Sequence, residues 1–154
     1  MSEPLYLEDL QPGMSYVNGP VAVTAADIKR FAAEFDPQPF HLDEQAGADS
    51  FFKGLAASGW HTAALTMRMM VTGGMPLAAG YIGGGGEVTW PRPVYAGDTL
   101  SVRVEVLETR ASSSKPERGF AMLRCETRNQ RDEVVQVLQV RVMVPRRQPV
   151  QAAT

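Results

Sequence analysis

The sequence predicts an α+β domain: a curved antiparallel sheet with one long buried helix on its concave face. Three observations carry this. Helical signals cluster between residues 24 and 72 and strand signals follow from 87 to 144, an order that separates helices from strands. The segment 58–72 is apolar on nearly every side, as a helix inside a core must be. The strands alternate apolar and polar residues, which suits a sheet covered on one face.

A short strand region comes first. The first helix is marked by Thr24-Ala25-Ala26-Asp27, which resembles a capping box with a carboxylate at its third position. Ile28, Phe31, Ala32 and Phe35 then form one apolar face, while Lys29, Arg30 and Glu34 take the other. Pro37 biases Asp36 away from helical geometry, so the helix should end near Phe35. Asp43 can cap a further short helix. In 58–72, Trp60, Ala63, Ala64, Leu65, Met67, Met69, Met70 and Val71 leave Arg68 as the only charge. Ser58 is the candidate N-cap and Gly73-Gly74 the stop. Such a helix would be roughly 22 Å long.

Glu87 to Trp90 suggests a strand stopped by Pro91 and Pro93, with the glycines Gly83 to Gly86 making a bend or bulge into the sheet. No Gly-Lys-Ser/Thr and helix follow those glycines, so they do not form a phosphate loop. Val102, Val104 and Val106 alternate with Arg103 and Glu105. Leu138, Val140, Val142 and Val144 alternate with Gln139, Arg141 and Met143. Residues 111–118 and 129–132 read as hairpin loops. Fraying is expected from 145, giving a single domain over 1–147 and a flexible tail over 148–154.

With 154 residues and 16.8 kDa, one domain with a sizeable core is expected. Fifteen basic and seventeen acidic residues argue against a protein that coats nucleic acid or an anionic membrane. One cysteine, Cys125, excludes an intrachain disulfide, and with two histidines it leaves no Cys/His zinc cluster. Met1-Ser2-Glu3-Pro4 carries no basic or apolar leader pattern, and the uncharged stretch between Arg68 and Glu87 is too rich in glycine for a membrane helix. A soluble, cytoplasmic protein is expected.

The sharpest local feature is Asp36-Pro37-Gln38-Pro39-Phe40-His41. Its two prolines stiffen the connection between a carboxylate and an imidazole, which together can hold one water for acid–base chemistry. On spacing alone, a helix end followed by a proline-rich turn, with His41 in an ordinary hydrogen bond, is the simpler reading. Ser58-Gly59-Trp60-His61 opens the apolar helix. Free N–H groups at its positive end could stabilise a developing oxyanion, and a plain N-cap is again the simpler reading. His61 reads as a satisfied, partly buried histidine. Met67, Met69, Met70 and Met75 suit a core, or a flexible acyl tunnel.

Four blocks appear together and in order: Leu7-Glu8-Asp9-Leu10-Gln11-Pro12-Gly13; Thr24 to Ala32 running into Asp36 to Asp43; Phe52-Lys53-Gly54-Leu55-Ala56-Ala57-Ser58-Gly59; and Pro93-Val94-Tyr95-Ala96-Gly97-Asp98. They resemble the MaoC-like dehydratase family, which includes the (R)-specific enoyl-CoA hydratases. The resemblance implies a hot-dog fold, a homodimer or dimer-based oligomer, and an acyl thioester substrate on coenzyme A or acyl carrier protein. It implies no metal and no cofactor beyond the coenzyme A of the substrate. Asp36 and His41 match the catalytic pair, and Gly59 the glycine whose backbone N–H faces the thioester oxygen. Ser58, Trp60 and Met67 are expected beside the substrate. Gln38 stands where the family often has Asn, and is a poorer left-handed residue. Ser58 stands where it usually has His, and Met67 beside Thr66 where some hydratases have serine. The expected reaction interconverts a trans-2-enoyl and an (R)-3-hydroxyacyl thioester. The rivals are a hot-dog acyl-CoA thioesterase and a non-catalytic acyl-thioester binding protein.

Overall fold

The structure, a computed structural model, describes residues 3–147. After a 3-10 turn at Leu7–Asp9 come β1 (Ser15–Ala22), α1 (Ala25–Phe35), α2 (Pro39–Leu42), α3 (Glu44–Ala48) and α4 (Gly59–Val71). The strands β2 (Ile82–Thr89), β3 (Thr99–Ala111), β4 (Arg118–Arg128) and β5 (Val134–Pro145) follow. The five strands form one antiparallel sheet in the order β1-β3-β4-β5-β2. The sheet wraps α4 in the hot-dog arrangement. Among the described residues no helix is long and apolar enough to cross a membrane.

The helices α1, α3 and α4 begin where short polar side chains meet unpaired N–H groups. Thr24 Oγ1 accepts from Asp27 N–H at 3.1 Å. The Asp27 carboxylate pairs with Arg30 at 2.7 Å. Asp43 Oδ2 caps α3 by accepting from Ala46 N–H at 2.9 Å, and Ser58 Oγ caps α4 by accepting from Trp60 N–H at 3.2 Å. The strand alternation holds. Val102, Val104 and Val106 of β3 and Ala121, Leu123 and Cys125 of β4 point inward into the buried core that also holds Met69 and Met70 of α4. Burial pushes the Cys125 thiol up to about 12, which keeps it protonated and inert.

Three expectations are corrected. First, β2 begins at Ile82, so the glycines lie within the strand rather than before it. The expected bulge is there, as a register shift between Gly83 and Gly85 against β5. Second, α4 is not covered all round: Trp60, Met67 and Val71 form an exposed apolar stripe, because the sheet covers one side only. Third, the chain does not fray at 145. β5 runs to Pro145, and Arg147 then makes a two-bond contact with Asp9 at 2.8 and 3.2 Å while its N–H donates to Glu8 at 2.8 Å. The expected tail 148–154 lies outside the described residues.

The glycines of β2 are not equivalent. A Cβ on Gly86 would collide with the Gln139 carbonyl oxygen, whereas one on Gly83 would meet nothing nearer than Val140 at 3.8 Å. Gly86→Ala should therefore cost about 1–3 kcal/mol in urea unfolding, the usual range for overpacking. Gly83→Ala should be neutral or slightly stabilising through the unfolded chain. Equal effects at both positions would contradict the close approach of β2 to β5.

Candidate active site

Pro37 ends α1 as the sequence requires. Asp36 leaves helical geometry at φ −154 and ψ 67, and its carboxylate turns toward α2. Pro39 opens α2 at its first position, where a missing N–H costs nothing. This single turn delivers His41, which is buried against Phe40 at right angles and beside the tilted ring of Phe52. His41 Nε2 stands 3.3 Å from Asp36 Oδ2. The other ring nitrogen, Nδ1, lies 2.6 Å from the Ala56 carbonyl oxygen. A carbonyl only accepts, so Nδ1 carries the proton. In the neutral ring, Nε2 is then an acceptor facing a second acceptor, the Asp36 carboxylate.

Two acceptors at this distance need a shared donor. A water can supply one O–H to each and keep a lone pair free. The Asp36 carboxyl is held below its ordinary range. Burial pushes it up, but the Ser58 hydroxyl and the Gln38 amide, joined by the positive charge of His41 when its ring is protonated, outweigh that. Gln38 Nε2 donates to Asp36 Oδ1 at 2.6 Å. Gln38 sits in extended backbone at φ −92, so the left-handed preference expected at this position plays no part.

The pair opens into a cavity of about 390 Å³. Its walls are aromatic, with Phe40, Phe52, Trp60 and Trp90 among them, and among the described residues Arg92 is the one titratable group lining it besides Asp36 and His41. Gly59 lines it too, at the first position of α4. Because Ser58 occupies the Trp60 N–H, the Gly59 N–H is left as a donor, and no described residue accepts from it. It lies at the positive end of the helix. Among the described residues, no three His, Cys, Asp or Glu side chains gather as metal ligands.

Of the residues singled out from sequence, Asp36, His41, Gly59 and Trp60 line this one cavity. Ser58 does not. It is fully buried behind the cavity, where it caps α4 and bonds Asp36, so it supports the site rather than touching a ligand. Met67 does not line it either. It lies two turns along α4, in the exposed stripe. His61 is buried and stacks on Phe31 at 4.8 Å, and its Nδ1 has no partner among the described residues, so it is not fully satisfied. Burial pushes its imidazole down, and Asp27 offsets this only in part. Trp90 was missed. It packs on Gly59, and its indole N–H donates to the buried Gln136 at 2.9 Å.

Known proteins resemble this chain in fold and sequence. A MaoC-like dehydratase from Rhodospirillum rubrum superposes with a TM-score of 0.91 at 53% identity, covering 94% of this chain and 99% of that one. The (R)-hydratase PhaJ1 of Pseudomonas aeruginosa gives a TM-score of 0.75 at 28% identity, over 98% of this chain and 93% of that one. The uncharacterised protein YdeM of Bacillus subtilis is 31% identical over 91% of this chain and 99% of its own length. Residues 9–121 match the MaoC-like domain as a family, and they include the Asp36–His41 pair and the capped start of α4. The chain belongs to the MaoC-like domain family.

Proposed function

We propose that the protein is a hydratase or dehydratase interconverting a trans-2-enoyl thioester and an (R)-3-hydroxyacyl thioester, carried on coenzyme A or acyl carrier protein. One observation carries the reading: the Asp36 carboxylate and His41 Nε2 converge as two acceptors 3.3 Å apart, beside the unpaired Gly59 N–H. Membership of the MaoC-like family and similarity to an (R)-hydratase support it.

In the hydration direction, the water held by Asp36 and His41 attacks C3 of the enoyl group. The pair takes one proton from that water and returns one to C2. The electron pair of the C2–C3 double bond moves toward the thioester oxygen, which gains enolate character and lies against the Gly59 N–H. A single donor of this kind is worth about 10²–10³ in rate. Dehydration is the reverse. Coenzyme A enters as part of the substrate, and no other cofactor is needed for the proton inventory.

A thioesterase would use the same water on C1. The two reactions separate in one cuvette with crotonyl-CoA: hydration removes the enoyl absorbance without freeing a thiol, and hydrolysis frees one. Hydration is the expected result. Release of thiol at the same rate would replace this reading with the thioesterase.

Asp36→Asn keeps the side-chain size and removes the base. Its kcat should fall about 10²–10⁴-fold with KM little changed. His41→Ala should fall similarly, and the double variant should be little worse than the poorer single one, because the two groups share one water. His61→Ala should lose stability through the Phe31 stack yet keep substantial kcat in its folded fraction. An active Asp36→Asn with a folded but inactive His61→Ala would move the chemistry away from the pair.

Asp36 also links stability to pH. Its folded pKa lies below the ordinary 3.8, so its ionised form favours the native state. That contribution is complete above the unfolded value and fades as pH falls through the folded one. Urea midpoints of wild type and Asp36→Asn should therefore differ most near neutrality and converge under acid. A gap that widens under acid would contradict the lowered pKa.

A homodimer is part of the proposal. The exposed stripe Trp60, Met67 and Val71 and the outer edge of β2 are the surfaces a second copy would cover, with two-fold symmetry. Light scattering should give twice the 16.8 kDa of one chain, or a multiple of that dimer. A folded monomer at micromolar concentration would overturn the assembly.

A further inference from the structure

Trp90 stands at the wall of the cavity, and the residues behind it are polar where the surrounding core is apolar. Its indole N–H donates to Gln136 Oε1 at 2.9 Å, and Gln136 Nε2 donates to Thr66 Oγ1 at 2.9 Å. The Thr66 and Thr127 hydroxyls share a bond of 2.6 Å. Gln136, Thr66 and Thr127 are fully buried, whereas Trp90 is 39% exposed. The indole therefore reaches from open cavity to closed interior. On the cavity side it lies on Gly59, where an added Cβ would meet Cε2 at 2.7 Å, and it meets Trp60 edge-on at 5.2 Å.

This chain ties down each member. The indole N–H is the only polar group of Trp90, and it is used. Both ends of the Gln136 amide are used. Swinging the indole aside would leave Gln136 Oε1 buried without a donor, and an unpaired buried acceptor is costly. The ring is thus held in place by a bond that the cavity's contents do not touch.

We infer that Trp90, locked by Gln136, is a specificity-determining wall that limits the cavity to short acyl groups. The inference rests on the reading of the cavity as an acyl-thioester site. A bulky hydrophilic carrier must stay on the solvent side, so the acyl tail points inward from the Gly59 N–H. There it meets the indole, and beyond the indole lies a hydrogen-bonded polar chain rather than an apolar tunnel.

Calorimetric titration of the full chain with saturated butanoyl-CoA and decanoyl-CoA tests the wall without needing turnover. In an open apolar slot each further buried methylene would gain roughly fourfold in affinity, and decanoyl-CoA would bind far more tightly. The wild type should instead bind butanoyl-CoA at least as tightly. Trp90→Ala should shift the affinity ratio toward decanoyl-CoA by roughly tenfold or more. Trp90→Phe, which keeps an aromatic ring against Trp60, should shift it the same way by less, and it decides the matter if Trp90→Ala does not fold. A merely structural Trp90 would weaken both ligands alike. The wall is overturned if wild type prefers decanoyl-CoA, if the ratio is unchanged in the folded variants, or if wild type binds neither ligand. Crotonyl-CoA hydration, followed in parallel, separates the two ideas: length-selective binding without hydration keeps the wall and overturns the reaction.

Discussion

The bond from His41 Nδ1 to the Ala56 carbonyl is the contact on which the site depends. It decides which ring nitrogen faces Asp36, and therefore whether the pair offers a water two acceptors or something else. Its acceptor is held as firmly as its donor. The Ala56 N–H donates to the Phe40 carbonyl at 3.3 Å, the Ala57 N–H to the Val94 carbonyl at 2.8 Å, and the Ala96 N–H to the Leu55 carbonyl at 3.3 Å. The extended segment 55–57 is thus laced between α2 and the turn before β3. The next residue, Ser58, passes the constraint on. Its oxygen takes the Trp60 N–H, no described residue accepts from the Gly59 N–H, and its hydroxyl helps hold the Asp36 carboxyl down. The His41 bond and the Gly59 N–H are thus set at two ends of one four-residue segment, Ala56 to Gly59.

Much of this was legible in the sequence because its signals are local. A cap, a helical period and a proline define α1 within fourteen residues, Thr24 to Pro37, and the Asp36–His41 relation follows from that ending. The β3 and β5 alternation is equally local. Signals failed where glycine removed the side chains that would have shown a period, so β2 was read as starting at Glu87 rather than Ile82. They also failed where the partner is distant in sequence. Trp90 is 46 residues from Gln136, and Gln136 is 70 from Thr66. One cue was present. Gln136 falls in phase with Leu138, Val140, Val142 and Val144, and Thr127 in phase with Ala121, Leu123 and Cys125, so both put polar groups on a core face. Polar residues at core-phase positions need partners.

Ser58 shows a different failure. Two expectations met at this residue, a helix cap from the local pattern and a substrate neighbour from the resemblance, and only the cap matches its position. A hydroxyl with one proton and two lone pairs can serve a backbone N–H and a carboxylate at once. Nothing in the spacing from Asp36 to Ser58 announces that. Met67 was expected beside the substrate from the resemblance, because it stands where some hydratases have serine. The sheet instead covers the side of α4 that carries Thr62, Thr66, Met69 and Met70, and Met67 is turned away.

The polar chain of Trp90, Gln136, Thr66 and Thr127 sits where aliphatic residues would fill a core at least as stably, since a satisfied hydrogen bond contributes only about 0.5–1.5 kcal/mol net. What aliphatic side chains could not supply is direction. Packing alone lets an indole settle in more than one orientation, whereas an N–H with a single buried acceptor has one. Thr127 lies opposite Gln136 in the β4–β5 register, so the sheet fixes where that acceptor stands. The wall beside Gly59 is therefore set by strand register, just as the His41 tautomer is set by a backbone carbonyl. In both places a group that touches the cavity is aimed by one that does not, and the aiming group belongs to the rigid part of the fold.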